Sequence, residues 1–166
     1  LTDFRINKNY LSGSLNYLAP LSKLESLLAG DNTLSGDINA LSQIPTLKTI
    51  KIQNNNLVVD LSKLQNLKNL HALSIKQKFP GYVVYSEASC AAYDVISATI
   101  TANGGPAGVQ GFDPDACDDT DGDGILDGAE DTDGDGILDG SDNDDDNDGF
   151  TDAEEETVGT SPIDAS

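Results

Sequence analysis

The 166-residue chain has no tryptophan and no methionine, a single histidine, two cysteines and only 5% aromatic residues. Any core must therefore be built from aliphatic side chains. One histidine and two cysteines cannot assemble a soft-metal cluster. The lone His71 stands beside Leu70, and no G-x-S-x-G motif occurs, so no catalytic constellation is visible and the chain is not expected to be an enzyme. There is no uninterrupted apolar run of membrane-spanning length, so membrane insertion is not expected of these residues. An initiator methionine and a signal-peptide pattern are both missing, and the chain opens inside a repeat. It is therefore expected to be a processed or excised fragment, with further domains outside it.

Positive charge is also scarce, and its scarcity is local. The net charge is −20. Residues 1–80 hold all nine Lys and Arg with five acids, whereas residues 81–166 hold the other 24 acids and no Lys or Arg. Such an asymmetry marks two physically different segments. It also argues against nucleic acid as a partner, since phosphate is repelled and no basic stripe exists.

The first segment is a repeat with a period of 23 residues. Leu1, Leu24, Leu47 and Leu70 align; so do Phe4, Leu27, Ile50 and Leu73; so do Asn9, Asn32 and Asn55, with Leu11, Leu34 and Leu57 after them. Alternation at Phe4/Ile6 and Ile50/Ile52 is a strand signal. An asparagine after each strand can satisfy turn backbone groups of its neighbours, so stacked repeats would bury an asparagine ladder. Pro20 and Pro45 on the return path favour short 3₁₀ or extended pieces over long helices. Lys78 falls in the fourth asparagine slot, where the ladder frays, and Phe79-Pro80-Gly81 breaks the pattern. Residues 81–112 read as a last repeat plus a C-terminal cap, or else as an unrelated linker. In the first of these readings Ser86–Tyr93 forms one or two helical turns, and Val95, Ala98, Ile100 and Asn103 repeat the strand spacing.

The consensus L-x-x-L-x-L-x-x-N-x-L over residues 1–80 closely resembles the leucine-rich repeat family. The resemblance implies a solenoid, with a parallel β-sheet on the concave face and an irregular or 3₁₀ convex face. It also implies a binding surface on the concave side, where Arg5, Asn7, Lys51, Gln53, Ser74 and Lys76 are candidate contacts for a protein or glycan ligand. The face is small and polar and lacks aromatic anchors, so a solvated face without a ligand is an equally available reading.

The second segment repeats a different motif. Asp119, Asp121, Asp123 and Gly124 lead to Glu130; Asp131, Asp133, Asp135 and Gly136 lead to Asp142; Asp144, Asp146, Asp148 and Gly149 lead to Glu155. This is the D-x-D-x-D-G-x₅-E calcium loop, in three copies. Positions 1, 3 and 5 supply carboxylates, position 7 a backbone carbonyl (Ile125, Ile137, Phe150), position 9 Asp127, Asp139 or Asp152, directly or through water, and position 12 the closing acid. A disordered acidic tail is the plain alternative, but such a tail has no reason to place Gly and the pairs Ile125-Leu126 and Ile137-Leu138 in one register. Calcium is the expected cofactor, as three ions or four. The loops stand 12 and 13 residues apart, which leaves no helix between the first two and excludes a paired EF-hand.

Back-to-back loops with D-x-D-x-D-G-x-x-D at Asp119–Asp127 and Asp131–Asp139 resemble thrombospondin type 3 repeats over about residues 113–166. That resemblance implies a chain wrapped around a string of ions, with Asp127 and Asp142 bridging neighbouring sites. The third loop departs from the pattern, because the residues from Asp152 to Thr157 read as a short helix ended by Gly159. Cys90 and Cys117 are expected to form a disulfide rather than a metal site, the alternative being two free thiols. An extracellular or cell-surface location follows, and by resemblance a bacterial one. Three roles remain open: a binding or adhesion module on a calcium-stabilised stalk, a purely structural spacer, and an accessory domain of a secreted enzyme.

Overall fold

A computed structural model describes residues 1–78, 81–118 and 125–165. The chain divides into two compact units, Leu1–Phe112 and Asp113–Ser166.

The first unit is built on two parallel sheets of four strands. One contains β1 (Asp3–Arg5), β3 (Ser26–Leu28), β5 (Thr49–Lys51) and β7 (Ala72–Ser74), in that order. The other contains β2 (Ser12–Gly13), β4 (Thr33–Asp37), β6 (Asn56–Val59) and β8 (Tyr82–Val83). In the first sheet each strand pairs with the one a sequence period later: Phe4 lies opposite Leu27, Leu27 opposite Ile50 and Ile50 opposite Leu73. These residues point inward, and Leu27 and Ile50 are fully buried. The side chains between them face outward, as the two-residue alternation of a strand requires. Three 3₁₀ turns, Leu15–Leu18, Asn39–Gln43 and Leu61–Lys63, carry the chain back and bury Leu15, Leu18, Leu41 and Leu61. The core is mainly aliphatic, with Leu24, Leu47, Leu64 and Leu70 fully buried and Tyr85 and Phe112 joining it after β8.

A ladder of side-chain amides ties one period to the next. Asn55 Nδ2 donates to Ile52 O and Gln53 O in its own turn and to Ala29 O one period back, while its Oδ1 accepts the amide N–H of Leu34. Asn32 makes the equivalent set with Ala29 O, Gly30 O, Ile6 O and the N–H of Leu11. Both are buried, and each satisfies backbone groups that would otherwise be orphaned. The ladder does not fray at Lys78. Gln77, one residue earlier and one methylene longer, takes the rung: its Oε1 accepts from Leu57 N at 3.2 Å and its Nε2 donates to Ile52 O at 3.1 Å and to Ile75 O.

The helical turns expected at Ser86–Tyr93 are present, but the residues after them depart from the sequence expectation. No strand forms at Val95–Asn103; one helix, α1 (Glu87–Ala102), runs through it. Ser86 caps its start by accepting from Ser89 N, and Ala92, Ile96 and Ile100 share a buried face at the four-residue spacing of a helix. The β-branched residues there match a strand by type, but the apolar spacing follows the helical period. Ser89 Oγ accepts from Leu61 N, and Asn103 Nδ2 donates to Leu70 O and Lys68 O. Gln110 then extends the first sheet with a parallel bridge to Ser74. Tyr85, Phe112 and Tyr93 stack with ring centroids 4.9 Å apart in each successive pair.

Candidate metal centre

The second unit, Asp113–Ser166, has no aliphatic core: among its described residues only Gly128, Asp139 and Glu155 are buried. Its order comes from three loops that close in one way. The N–H of Asp127 donates to Asp118 O, that of Asp139 to Glu130 O and that of Asp152 to Asn143 O, at 2.8, 2.9 and 3.0 Å. In each case residue 9 of a loop is bonded to the residue just before residue 1. Asp119, Asp121 and Asp123, the first three ligand candidates of loop one, lie outside the described residues.

Loops two and three repeat their internal bonds as well. Asp133 Oδ1 accepts from Asp135 N, Asp135 Oδ1 from Ile137 N, and Asp131 Oδ1 from Gly136 N. In loop three Asp146 Oδ1 accepts from Asp148 N, Asp148 Oδ1 from Phe150 N, and Asp144 Oδ2 from Gly149 N. Each carboxylate spends one oxygen on the turn. Gly136 and Gly149 have φ of +94° and +98°, a conformation that side-chain-bearing residues rarely adopt. The turns converge the acids: ligand oxygens of Asp131, Asp133 and Asp135 lie within 4.8 Å of one another, as do those of Asp144, Asp146 and Asp148.

The position-9 acids act as struts. Asp139, itself buried, accepts from both the N–H and the hydroxyl of Thr132, at 2.9 and 2.7 Å. Asp152 Oδ1 accepts from Asp145 N at 3.1 Å. Asp142 turns its Oδ1 onto the N–H groups of Asn143 and Asp144. Glu155 comes from α2 (Asp152–Val158), which opens on a capping box between Thr151 and Glu154 and ends on left-handed Gly159. Ile125, Asp127 and Glu130 complete loop one among the described residues.

Among the described residues, four buried carboxylate oxygens have no hydrogen-bond partner: Asp144 Oδ1, Asp145 Oδ1, Asp146 Oδ2 and Glu155 Oε2. Three of them belong to positions 1, 3 and 12 of loop three, where a calcium loop presents ligands. Buried acceptors without donors are costly, and an oxygen-seeking cation would satisfy them. Hard oxygen donors, with no thiolate or imidazole in the segment, suit calcium. The electrostatics agree. Burial, and then the charges of Asp152, Asp139, Asp142 and Asp146, push the Asp145 carboxyl up to about 8. Burial raises Asp152 and Glu155 too, helped by neighbouring acids and opposed by their own hydrogen bonds. Sequence reasoning missed Asp145, which occupies loop position 2. The available signal was that the equivalent residues, Thr120 and Thr132, are neutral.

The other candidate surface lies in the first unit. Arg5, Lys51 and Ser74 sit on β1, β5 and β7, and Asn7, Gln53 and Lys76 two residues past Arg5, Lys51 and Ser74. Arg5 pairs with Asp3 at 2.7 Å, and Gln53 packs over Gly30, so closely that a Cβ there would overlap its amide. Neither cysteine is free; Cys90 and Cys117 are disulfide-bonded.

Residues 119–130 and 144–165 match the family model for the bacterial TSP3 repeat. The match identifies repeats of a calcium-binding type and points to an extracellular module, a location that the disulfide also suits. No curated protein matches the chain. Among the described residues no helix is long and apolar enough to cross a membrane.

Proposed function

We infer that the chain is a non-enzymatic extracellular binding module: a leucine-rich-repeat solenoid presenting a recognition surface, carried on a segment that calcium orders. The observation that carries the calcium reading is the set of orphaned buried oxygens on Asp144, Asp146 and Glu155 in a unit without an aliphatic core. Asp131, Asp133, Asp135 and Asp142 would hold a second ion, and Asp119, Asp121, Asp123 and Glu130 a third. The bound ions supply positive charge among the carboxylates, so that binding and folding of this segment are one process. Sites of this kind suit the millimolar calcium outside cells. Titration calorimetry with calcium tests this: three ions per chain are expected, and no binding overturns it.

The recognition half rests on the 23-residue period, the parallel register and the asparagine rungs, all of which match what a leucine-rich repeat requires. Its ligand, a protein or a glycan, would meet Lys51, Gln53, Ser74 and Lys76. The tie between Arg5 and Asp3 and the lack of aromatic side chains on that face favour a second reading, in which the unit is a spacer. Glycan and surface-protein arrays separate the two: a ligand lost on Lys51→Glu supports recognition, and silence across the arrays supports the spacer.

A further inference from the structure

Where α1 ends, Asn103 latches the chain to the turn that leads into β7. Its Nδ2 donates to Leu70 O at 2.8 Å and to Lys68 O at 3.1 Å. Its own carbonyl oxygen lies 3.1 Å from His71 Nδ1; a carbonyl only accepts, so Nδ1 carries the proton. The residues beyond are seated closely. Gly105 N donates to Ile100 O at 2.9 Å, a Cβ on Gly105 would run into His71 O, and Gln110 bridges to β7 at Ser74.

The residue after this latch is glycine, and Asn103-Gly104 is the one Asn-Gly step in the chain. Both residues are exposed to water. Gly104 has φ of +79°, a conformation that favours glycine. With no Cβ, glycine leaves its amide nitrogen open to the side chain before it, and asparagine is among the thermally labile residues. In the folded chain both reacting groups are engaged: Asn103 Nδ2 by Lys68 O and Leu70 O, and Gly104 N by Thr101 O at 3.0 Å.

We propose that Asn103-Gly104 is a site of spontaneous covalent modification by water, and that the modification opens the latch irreversibly. Gly104 N attacks Asn103 Cγ, the new C–N bond replaces the Cγ–Nδ2 bond, and the amide nitrogen leaves as ammonia with the proton from Gly104. Water then opens the cyclic imide at either carbonyl, leaving a carboxylate on an ordinary or a β-linked aspartate. Nothing is oxidised or reduced. The product cannot close the latch again, because a carboxylate has no donor for Leu70 O and Lys68 O and its charge faces both carbonyls. The attack requires Asn103 to leave its two acceptors, so the latch sets the rate at which it is lost.

The test is the chain in calcium, held at neutral pH below its melting midpoint and sampled over time, beside the same chain unfolded in guanidinium. A glutamate-specific protease then releases residues 88–130 with the disulfide inside, and mass mapping reads residue 103. Acid should replace amide there at least about tenfold more slowly in the folded chain than in the unfolded one, as the loss of two hydrogen bonds requires. His71→Ala loosens the latch and leaves Asn-Gly intact, and it should narrow that difference. The converted chain, separated by its extra negative charge, should lose hydrogen-exchange protection at Gly105 and Gln110. Conversion confined to the unfolded chain overturns the proposal, as do equal rates in the two states or unchanged protection after conversion.

Discussion

Removing calcium should unfold the acidic segment and spare the sheets, and the size of the effect can be worked from the two described clusters. In each, three carboxylates lie within 4.8 Å of one another. At that separation two unit charges repel by about 0.9 kcal/mol even with the dielectric constant of water. Three pairs in each of two clusters then give roughly 5 kcal/mol. The unfolded chain retains part of this, because the acids stay two residues apart, and salt screens more of it, so about 2–3 kcal/mol is the net cost of folding them without metal. A unit of 54 residues has only about 3–8 kcal/mol of stability to lose, and this one buries no apolar side chain among its described residues. Trypsin cannot read the transition, since residues 81–166 contain no Lys or Arg. A glutamate-specific protease can, at Glu154, Glu155 and Glu156. With chelator the segment should be cut rapidly there while a fragment containing residues 1–78 persists. With millimolar calcium both should survive. Equal rates of cutting in chelator and in calcium would refute the reasoning.

Replacing Asp145 with Thr should steady the metal-free segment, because it removes a buried carboxyl whose ionisation the neighbouring acids oppose and lets a hydroxyl meet Asp152 as Thr132 meets Asp139; slower proteolysis in chelator is the readout. Acidification should act the same way on the calcium-free chain. Asp145, Asp152 and Glu155 have folded-state values raised above those of the free side chains, so their contribution is fully present below the ordinary carboxylate range and is lost as pH rises through the raised values, about 8 for Asp145, and circular dichroism of the chelated segment should show more order in acid than in base. Asn55→Ala strips the partner from the buried Leu34 N–H and leaves Ala29 O only the bond from Asn32, and should cost about 1–3 kcal/mol in thermal or denaturant unfolding. Gly105→Ala would drive a methyl into the His71 carbonyl and Ile100 and should lower the melting midpoint of the first unit by an amount equivalent to about 1–3 kcal/mol.

The parts of the structure that follow a strict period were legible in the sequence. Phe4, Leu27, Ile50 and Leu73 announce β1, β3, β5 and β7 and their register, because a one-residue slip would expose every one of them. The second sheet was hidden. Its strands β2 and β4 are written mostly in Ser, Gly, Thr and Asp, and their pairing arises from the stacking that the first sheet imposes. The later part of α1 was mistaken for a strand because Val95, Ala98, Ile100 and Asn103 repeat the strand spacing, while the buried face of Ala92, Ile96 and Ile100 decides the outcome. Gln77 escaped notice because a longer side chain reached the rung from the neighbouring position. In the acidic segment the loop register was plain from Gly136 and Gly149, whereas the strain at Asp145 emerges only when Asp139, Asp142 and Asp152 are brought around it in space.

Both units solve the same problem, a backbone turning too sharply to satisfy itself, and both solve it with a short side chain that bonds back to the turn. The solutions differ in one group of atoms. In the sheets the side chain is an amide. Asn55 accepts one bond with its oxygen and donates from its nitrogen, so the rung is complete and neutral and can be fully buried. In the loops it is a carboxylate. Asp144 and Asp146 each accept a turn N–H with one oxygen, and the other oxygen is left with charge and no donor. An amide ladder therefore stacks on itself without help, while a carboxylate ladder accumulates repulsion with each rung. On the proposed reading the second design stands only with a cation between the rungs, and the acids that shape the loops would be the same acids that make the segment depend on metal.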